Sequence, residues 1–111
     1  MKKFIVQYKV PLAALDSWMQ VQDEEKKKEE AKMMEDWQKW MSEHKENILE
    51  SFGAGKTKWV DTTGIKDFRN EIMVLSLVQG ESKEAVAEMF KNHPHLQIPT
   101  SWIEISELRQ M

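Results

Sequence analysis

Between Lys3 and Val10 apolar and polar positions alternate. Phe4, Val6, Tyr8 and Val10 share one side and Ile5, Gln7 and Lys9 the other, the period of two that a strand requires. Pro11 has no amide hydrogen for a ladder and ends the strand. Leu12, Leu15, Trp18, Met19 and Val21 leave two readings open for residues 12–22, a short helix or an ordered connection. Residues 23–47 predict the longest helix. Asp23, Glu24 and Glu25 sit at its start, where the helix dipole favours negative charge. Asp23–Lys27, Glu24–Lys28 and Glu35–Lys39 are spaced to pair along one face. Its second half carries a stripe of Met33, Met34, Trp37, Trp40, Met41, His44 and Ile48 at three- and four-residue spacing. Ile48 to Phe52 predicts a strand, and Gly53-Ala54-Gly55 a break. Lys56 to Thr62 alternates again, with Trp59 and Asp61 opposite Lys58 and Val60. Gly64 to Asn70 reads as loop. Residues 71–79 predict the strongest strand, with Ile72, Val74 and Val78 on one face and Met73, Leu75 and Leu77 on the other. After Gly80, Ser82 is a good N-cap for a helix whose face is Ala85, Val86, Met89 and Phe90, and Asn92 and Pro94 stop it. Residues 101–107 predict a last strand, Ile103 and Ile105 facing one way and Trp102, Glu104 and Ser106 the other.

This order predicts an α+β fold: a ferredoxin-like antiparallel sheet of four or five strands with two helices on one face. Strand 71–79 is apolar on both sides, and the helices cover only one. Leaving the other side in water forgoes on the order of 1.5–3 kcal/mol per large side chain. A second copy of the chain, related by a two-fold axis, covers it economically. The expectation is a homodimer with facing sheets; the alternative is that residues 12–22 fold over that side within a monomer.

Length and composition narrow the classes. The 111 residues suit a single domain, 1–111. With 16 basic and 19 acidic residues the net charge is −3, so no basic field steers nucleic acid. There is no cysteine, which removes disulfides, thiolate metal sites and cysteine nucleophiles. Met1-Lys2-Lys3-Phe4-Ile5-Val6 begins like a leader, but the apolar run is broken by Gln7 and Lys9. No stretch approaches the ~20 apolar residues of a membrane span. A cytoplasmic protein with no membrane partner is expected. The mixed charge run Asp23 to Glu30 reads as a solvated helix face.

Several short segments resemble the YCII-related family, also called DGPF-domain proteins. They are Ser82-Lys83-Glu84-Ala85, Asn92-His93-Pro94-His95-Leu96 and Trp102-Ile103-Glu104-Ile105, together with Lys3-Phe4-Ile5-Val6 and Arg69-Asn70-Glu71-Ile72. The resemblance implies a ferredoxin-like fold paired into a dimeric α/β barrel. The family's Asp-Gly-Pro-Phe stretch is absent, and Asp61-Thr62-Thr63-Gly64 stands nearest to it. Some members carry a His near the start of the first long helix; here that region reads Asp23-Glu24-Glu25-Lys26. No catalytic residue is carried over.

His93-Pro94-His95 is the most suggestive cluster. In an extended stretch residues two apart point the same way, so both imidazoles would reach one cleft as general acid and base, or as two metal ligands needing a third such as Asp61, His44 or Glu104. The plainer reading is a helix exit, with Pro94 as the stop. His44 on the apolar stripe reads as a packed residue. The five Trp, at 18, 37, 40, 59 and 102, suit either core and interface packing or a pocket for a ring-shaped ligand. Gly53-Ala54-Gly55-Lys56-Thr57 lacks Walker spacing and reads as a turn. Ser17, Ser51 and Ser76 stand in no nucleophile elbow.

The expected function is a small-molecule-binding protein or a cofactor-free enzyme. Its pocket, in or beside the dimer barrel, would be lined by Tyr8, Trp59, Asp61, His93, His95 and Trp102. His93 and His95 are the candidates for proton transfer, on an aromatic or lactone-like ligand. The alternative is a non-catalytic homodimeric interaction module. A metal-dependent protein is a third reading, without an assigned metal site.

Overall fold

A computed structural model describes residues 1–20 and 23–111. Strand β1 (Lys2–Lys9) lies at the centre of a four-stranded sheet. It pairs antiparallel with β5 (Ile72–Gly80) on one side and with β6 (Trp102–Glu107) on the other. Strand β2 (Ile48–Gly53) extends the sheet beyond β5, giving the order β2-β5-β1-β6. Helix α1 (Leu12–Gln20) follows β1, α2 (Glu24–Glu43) precedes β2, and α3 (Lys83–Phe90) joins β5 towards β6. The ferredoxin-like antiparallel sheet of the sequence reading is thus present.

The period of two decides which residues meet the helices. Residues opposite one another in an antiparallel pair share a face. Val6 pairs with Ser76 and Ile105, and Tyr8 with Val74 and Ile103, so these share the helix side. Phe4, Val6, Tyr8 and Val78 are buried there against Trp40 of α2 and Val86 and Phe90 of α3. Gly80 is needed where α3 crosses: a Cβ at that position would lie 2.5 Å from Val86 Cγ2. Both packing helices are capped. Asp23 accepts from the Lys26 amide at 2.8 Å, and Ser82 from the Ala85 amide at 3.1 Å.

The other face carries Ile5 and Gln7 of β1, Met73, Leu75 and Leu77 of β5, Phe52 of β2, and Trp102 and Glu104 of β6. Its β5 residues are half-buried and Phe52 is exposed. Helix α1 buries none of its own residues and is not the cap that the monomer alternative requires.

Four readings change. Residues 12–20 are a helix, which makes three α-helices among the described residues; Val21 lies outside them. Helix α2 stops at Glu43 instead of 47, because the His44 amide turns back to the carbonyls of Trp40 and Met41 and tightens the last turn. Ile48 therefore belongs to β2, not to the helix stripe. Gly64–Phe68, read as loop, is strand β4. It pairs with β3 (Thr57–Asp61) in a separate two-stranded ribbon, from Thr57 opposite Phe68 to Asp61 opposite Gly64. Asp61 closes its turn by accepting from the Thr63 amide at 2.8 Å, and Gly64 takes φ 139, a conformation that favours glycine. No helix among the described residues is long and apolar enough to cross a membrane.

Candidate functional site

The histidine cluster forms under the helices. After α3, His93 caps a short 3-10 turn over Pro94–Gln97, with its Nδ1 accepting from the His95 amide at 2.9 Å. An accepting Nδ1 leaves the proton of a neutral imidazole on Nε2. That nitrogen is buried and meets no hydrogen-bond partner. The rings around it are Trp37 at 4.4 Å, Trp40 at 4.5 Å, Tyr8 at 5.1 Å and Phe90 at 5.7 Å between centroids. The His95 Nε2 lies 2.9 Å from the Lys9 carbonyl and ties the turn to the end of β1. Burial pushes His93 down to about 3, with His95 and His44 adding to the shift. His95 is lowered for the same reason, against partial opposition from its main-chain hydrogen bonds to Lys9 and Trp102. Tyr8 OH bonds Ser76 Oγ at 2.9 Å, which in turn bonds Ser51 Oγ at 2.7 Å. Burial pushes the phenol up to about 12.

The remaining predicted residues stand elsewhere. Trp102 pairs with Lys9 on the open face, where its Nε1 donates to Glu104 at 2.8 Å and Lys9 Nζ lies 3.0 Å from the same carboxylate. The Trp102 hydrogen bond, then that of Lys9, holds Glu104 below its ordinary range. Trp59 and Asp61 lie on the exposed ribbon, joined by a 2.7 Å hydrogen bond from Trp59 Nε1. Bonds from Thr63 and Trp59 hold Asp61 low. His44 stacks on Trp40 at 4.2 Å and its Nδ1 lies 2.9 Å from the Trp40 carbonyl. The structure therefore brings together Tyr8, His93 and His95, and separates them from Trp59, Asp61 and Trp102. The single pocket drawn from the sequence is not formed within one chain, because Tyr8 and Trp102 project from opposite faces of the sheet. His44, Asp61 and Glu104 do not gather around the histidines, and the described residues hold no group of three or more metal-ligating side chains.

A cleft of about 850 Å³ opens where α1 approaches the root of the β3–β4 ribbon. Leu15, Phe68 and Ile72 give it apolar walls; Lys56, Lys58, Arg69 and Asn70 give it cations and an amide. Arg69 donates to Asp16 at 2.7 Å, which raises the guanidinium and lowers the carboxyl. Lys58 pairs with Asp67, while Lys56 makes no ion pair among the described residues. The amide of Asn70 donates to Thr57 and its oxygen accepts from the Ile72 amide, each at 2.9 Å, so the rim is held in place. Sequence reading missed these residues. The signal was present in Lys56-Thr57-Lys58 and Asp67-Phe68-Arg69-Asn70, but only a strand pairing sets the two segments side by side.

No family model matches the chain, and no curated protein does. Among solved structures it is similar to 5-chloro-2-hydroxyhydroquinone dehydrochlorinase from Burkholderia phenoliruptrix AC1100, in complex with 2,5-dihydroxybenzoquinone. The TM-score is 0.57 at 11% identity, covering 100% of this chain and 96% of that one. At that identity the likeness shows the fold.

Proposed function

We propose that this chain binds a small acidic ring molecule in the cleft at the ribbon root, as one half of a homodimer whose open sheet faces pack together. The observation that carries the reading is the lining of the cleft. Arg69 and Lys58 are paired with Asp16 and Asp67, which leaves the charge of Lys56 uncompensated among the described residues, and Phe68 supplies a flat apolar wall beside Leu15 and Ile72. A few placed polar groups over an apolar wall are what a small-molecule site requires. The bound molecule in the fold neighbour, 2,5-dihydroxybenzoquinone, is an acidic ring of this chemical kind. The half-buried apolar residues that β5 presents on the open face support the dimer. The resemblance of Asn92-His93-Pro94-His95-Leu96 and Trp102-Ile103-Glu104-Ile105 to the YCII-related family supports the same reading. Proton transfer by His93 or His95 is not part of it: neither imidazole lines this cleft, and each is 1% exposed.

Thermal shift and calorimetry with 2,5-dihydroxybenzoquinone and benzoate test the binding. A ligand at a hundred times its Kd adds about 2.7 kcal/mol, a rise of roughly 10 °C in a domain this size. The expected result is a rise in the parent protein that Lys56→Ala with Arg69→Ala abolishes. Silence across a broad panel of acidic ring compounds ends the proposal.

A further inference from the structure

The β3–β4 ribbon belongs to neither layer of the fold. From Lys58 to Phe68 every residue is exposed, and among the described residues its strands pair only with each other. The radius of gyration is 15.7 Å, against about 13 Å for a compact chain of this length. The molecule measures 45 × 43 × 20 Å, so the ribbon extends the plate sideways instead of thickening it.

The two sides of the ribbon differ. Trp59 and Phe68 share one side with ring centroids 4.9 Å apart, and Lys66 Nζ lies 5.0 Å from the Trp59 ring. That side is organised by its own contacts. The other presents Val60 opposite Ile65, flanked by the Lys58–Asp67 pair. Val60 is 71% and Ile65 72% exposed. A lone two-stranded hairpin is marginally stable at best in water, and no described residue covers this pair.

We infer that the ribbon is an arm that grips a second copy of the chain through Val60 and Ile65. Area favours a second copy. The open face of the four-stranded sheet, at ~4.8 Å per strand and ~3.3 Å per residue, projects roughly 400 Å² before the relief of its side chains is counted. A stable pair buries about 800 Å² per partner. Two arms, each reaching past its own sheet onto the other molecule, extend the contact towards that value, and a two-fold pair uses each chain once as the donor of an arm and once as the surface that receives one. Phe52, 54% exposed on the open face of β2, is apolar surface of the kind the arm needs. The inference rests on the dimer reading above, and its test separates the two.

Sedimentation equilibrium measures the dimer dissociation constant of the parent, of Leu75→Asp on the open face, and of Val60→Asp with Ile65→Asp on the arm. Hydrogen exchange follows the arm amides in each. The expected result is that Leu75→Asp yields monomer, that the arm variant weakens the dimer at least a hundredfold, and that arm amides of the parent exchange at least tenfold more slowly than those of monomeric Leu75→Asp. Arm substitutions that leave the dissociation constant within twofold while Leu75→Asp dissociates the pair overturn the arm and leave the dimer reading standing. A parent that is monomeric at tens of micromolar overturns both. Far-ultraviolet circular dichroism checks that the sheet and helices of each variant remain.

Discussion

Acidification from pH 7 to pH 5 should destabilise the fold through His93. The folded imidazole is held down to about 3 by burial, while an exposed one titrates at 6.5. Between those values the unfolded chain binds a proton that the folded chain refuses, so stability rises with pH. The contribution is fully present above 6.5 and is lost as pH falls towards 3. At pH 5 the loss from this side chain is about 2 kcal/mol relative to pH 7, at 1.36 kcal/mol per unit. His95, lowered for the same reason, acts in the same direction. The lowered carboxyls of Asp16, Asp36, Asp61 and Glu104 also lose stability on acidification, but below the window from 7 to 5, because they titrate nearer 4 when unfolded. Urea unfolding at pH 7, 6 and 5 reads the effect through the fluorescence of the five Trp, of which Trp37 and Trp40 stand against His93. His93→Asn keeps an oxygen able to accept the His95 amide and removes the titration. It starts lower, by about 1–3 kcal/mol for the space it leaves, and its stability should fall about 2 kcal/mol less than the parent's between pH 7 and pH 5. An equal pH dependence in the two proteins would refute the buried neutral imidazole.

Three further outcomes follow from the packing. Gly80→Ala pushes a methyl into Val86, which is fully buried; a cost of about 1–3 kcal/mol is expected, read as a lower urea midpoint at unchanged slope. Ser82→Ala removes the acceptor of the Ala85 amide and should cost about 1 kcal/mol, with loss of helical circular dichroism on heating at a lower temperature. Tyr8→Phe removes the phenol from the chain that joins it to Ser76 and Ser51; a loss of about 0.5–1.5 kcal/mol is expected, because Ser76 keeps Ser51 as a partner, and a Ser51→Ala background should enlarge it.

How much was legible follows from which residues feel a core. In β1 one face is dry and alternation carries a strong signal; β5 is apolar on both sides and is marked by its unbroken run, and both strands stand where these patterns put them. The cap at Ser82 was legible because its geometry is local. The β4 strand was not. Ile65 and Asp67 alternate with Lys66 and Phe68, but both sides of a ribbon in water are polar and apolar alike, so the period has no dry side to mark it.

Within one chain, register separates the residues expected to line the site. His93 and His95 do meet, yet through a cap and a tight turn instead of an extended stretch. They meet Tyr8 because its face looks towards the helices. Trp102 was assigned to the same pocket although the alternation already opposed it to Ile103. Tyr8 pairs with Ile103, so Trp102 pairs with Lys9 and must face away. A one-residue offset along a strand moves a side chain to the other face of the sheet, and no conservative change in chain position brings it back. The cleft at the ribbon root needed the opposite inference. Its lysines and arginine lie on two segments that are neighbours only once Thr57 is opposite Phe68. Strand pairing, more than residue type, therefore decides which polar groups of this chain stand together: within one copy it sets Tyr8 and Trp102 on opposite faces and brings Lys56 and Lys58 beside Arg69.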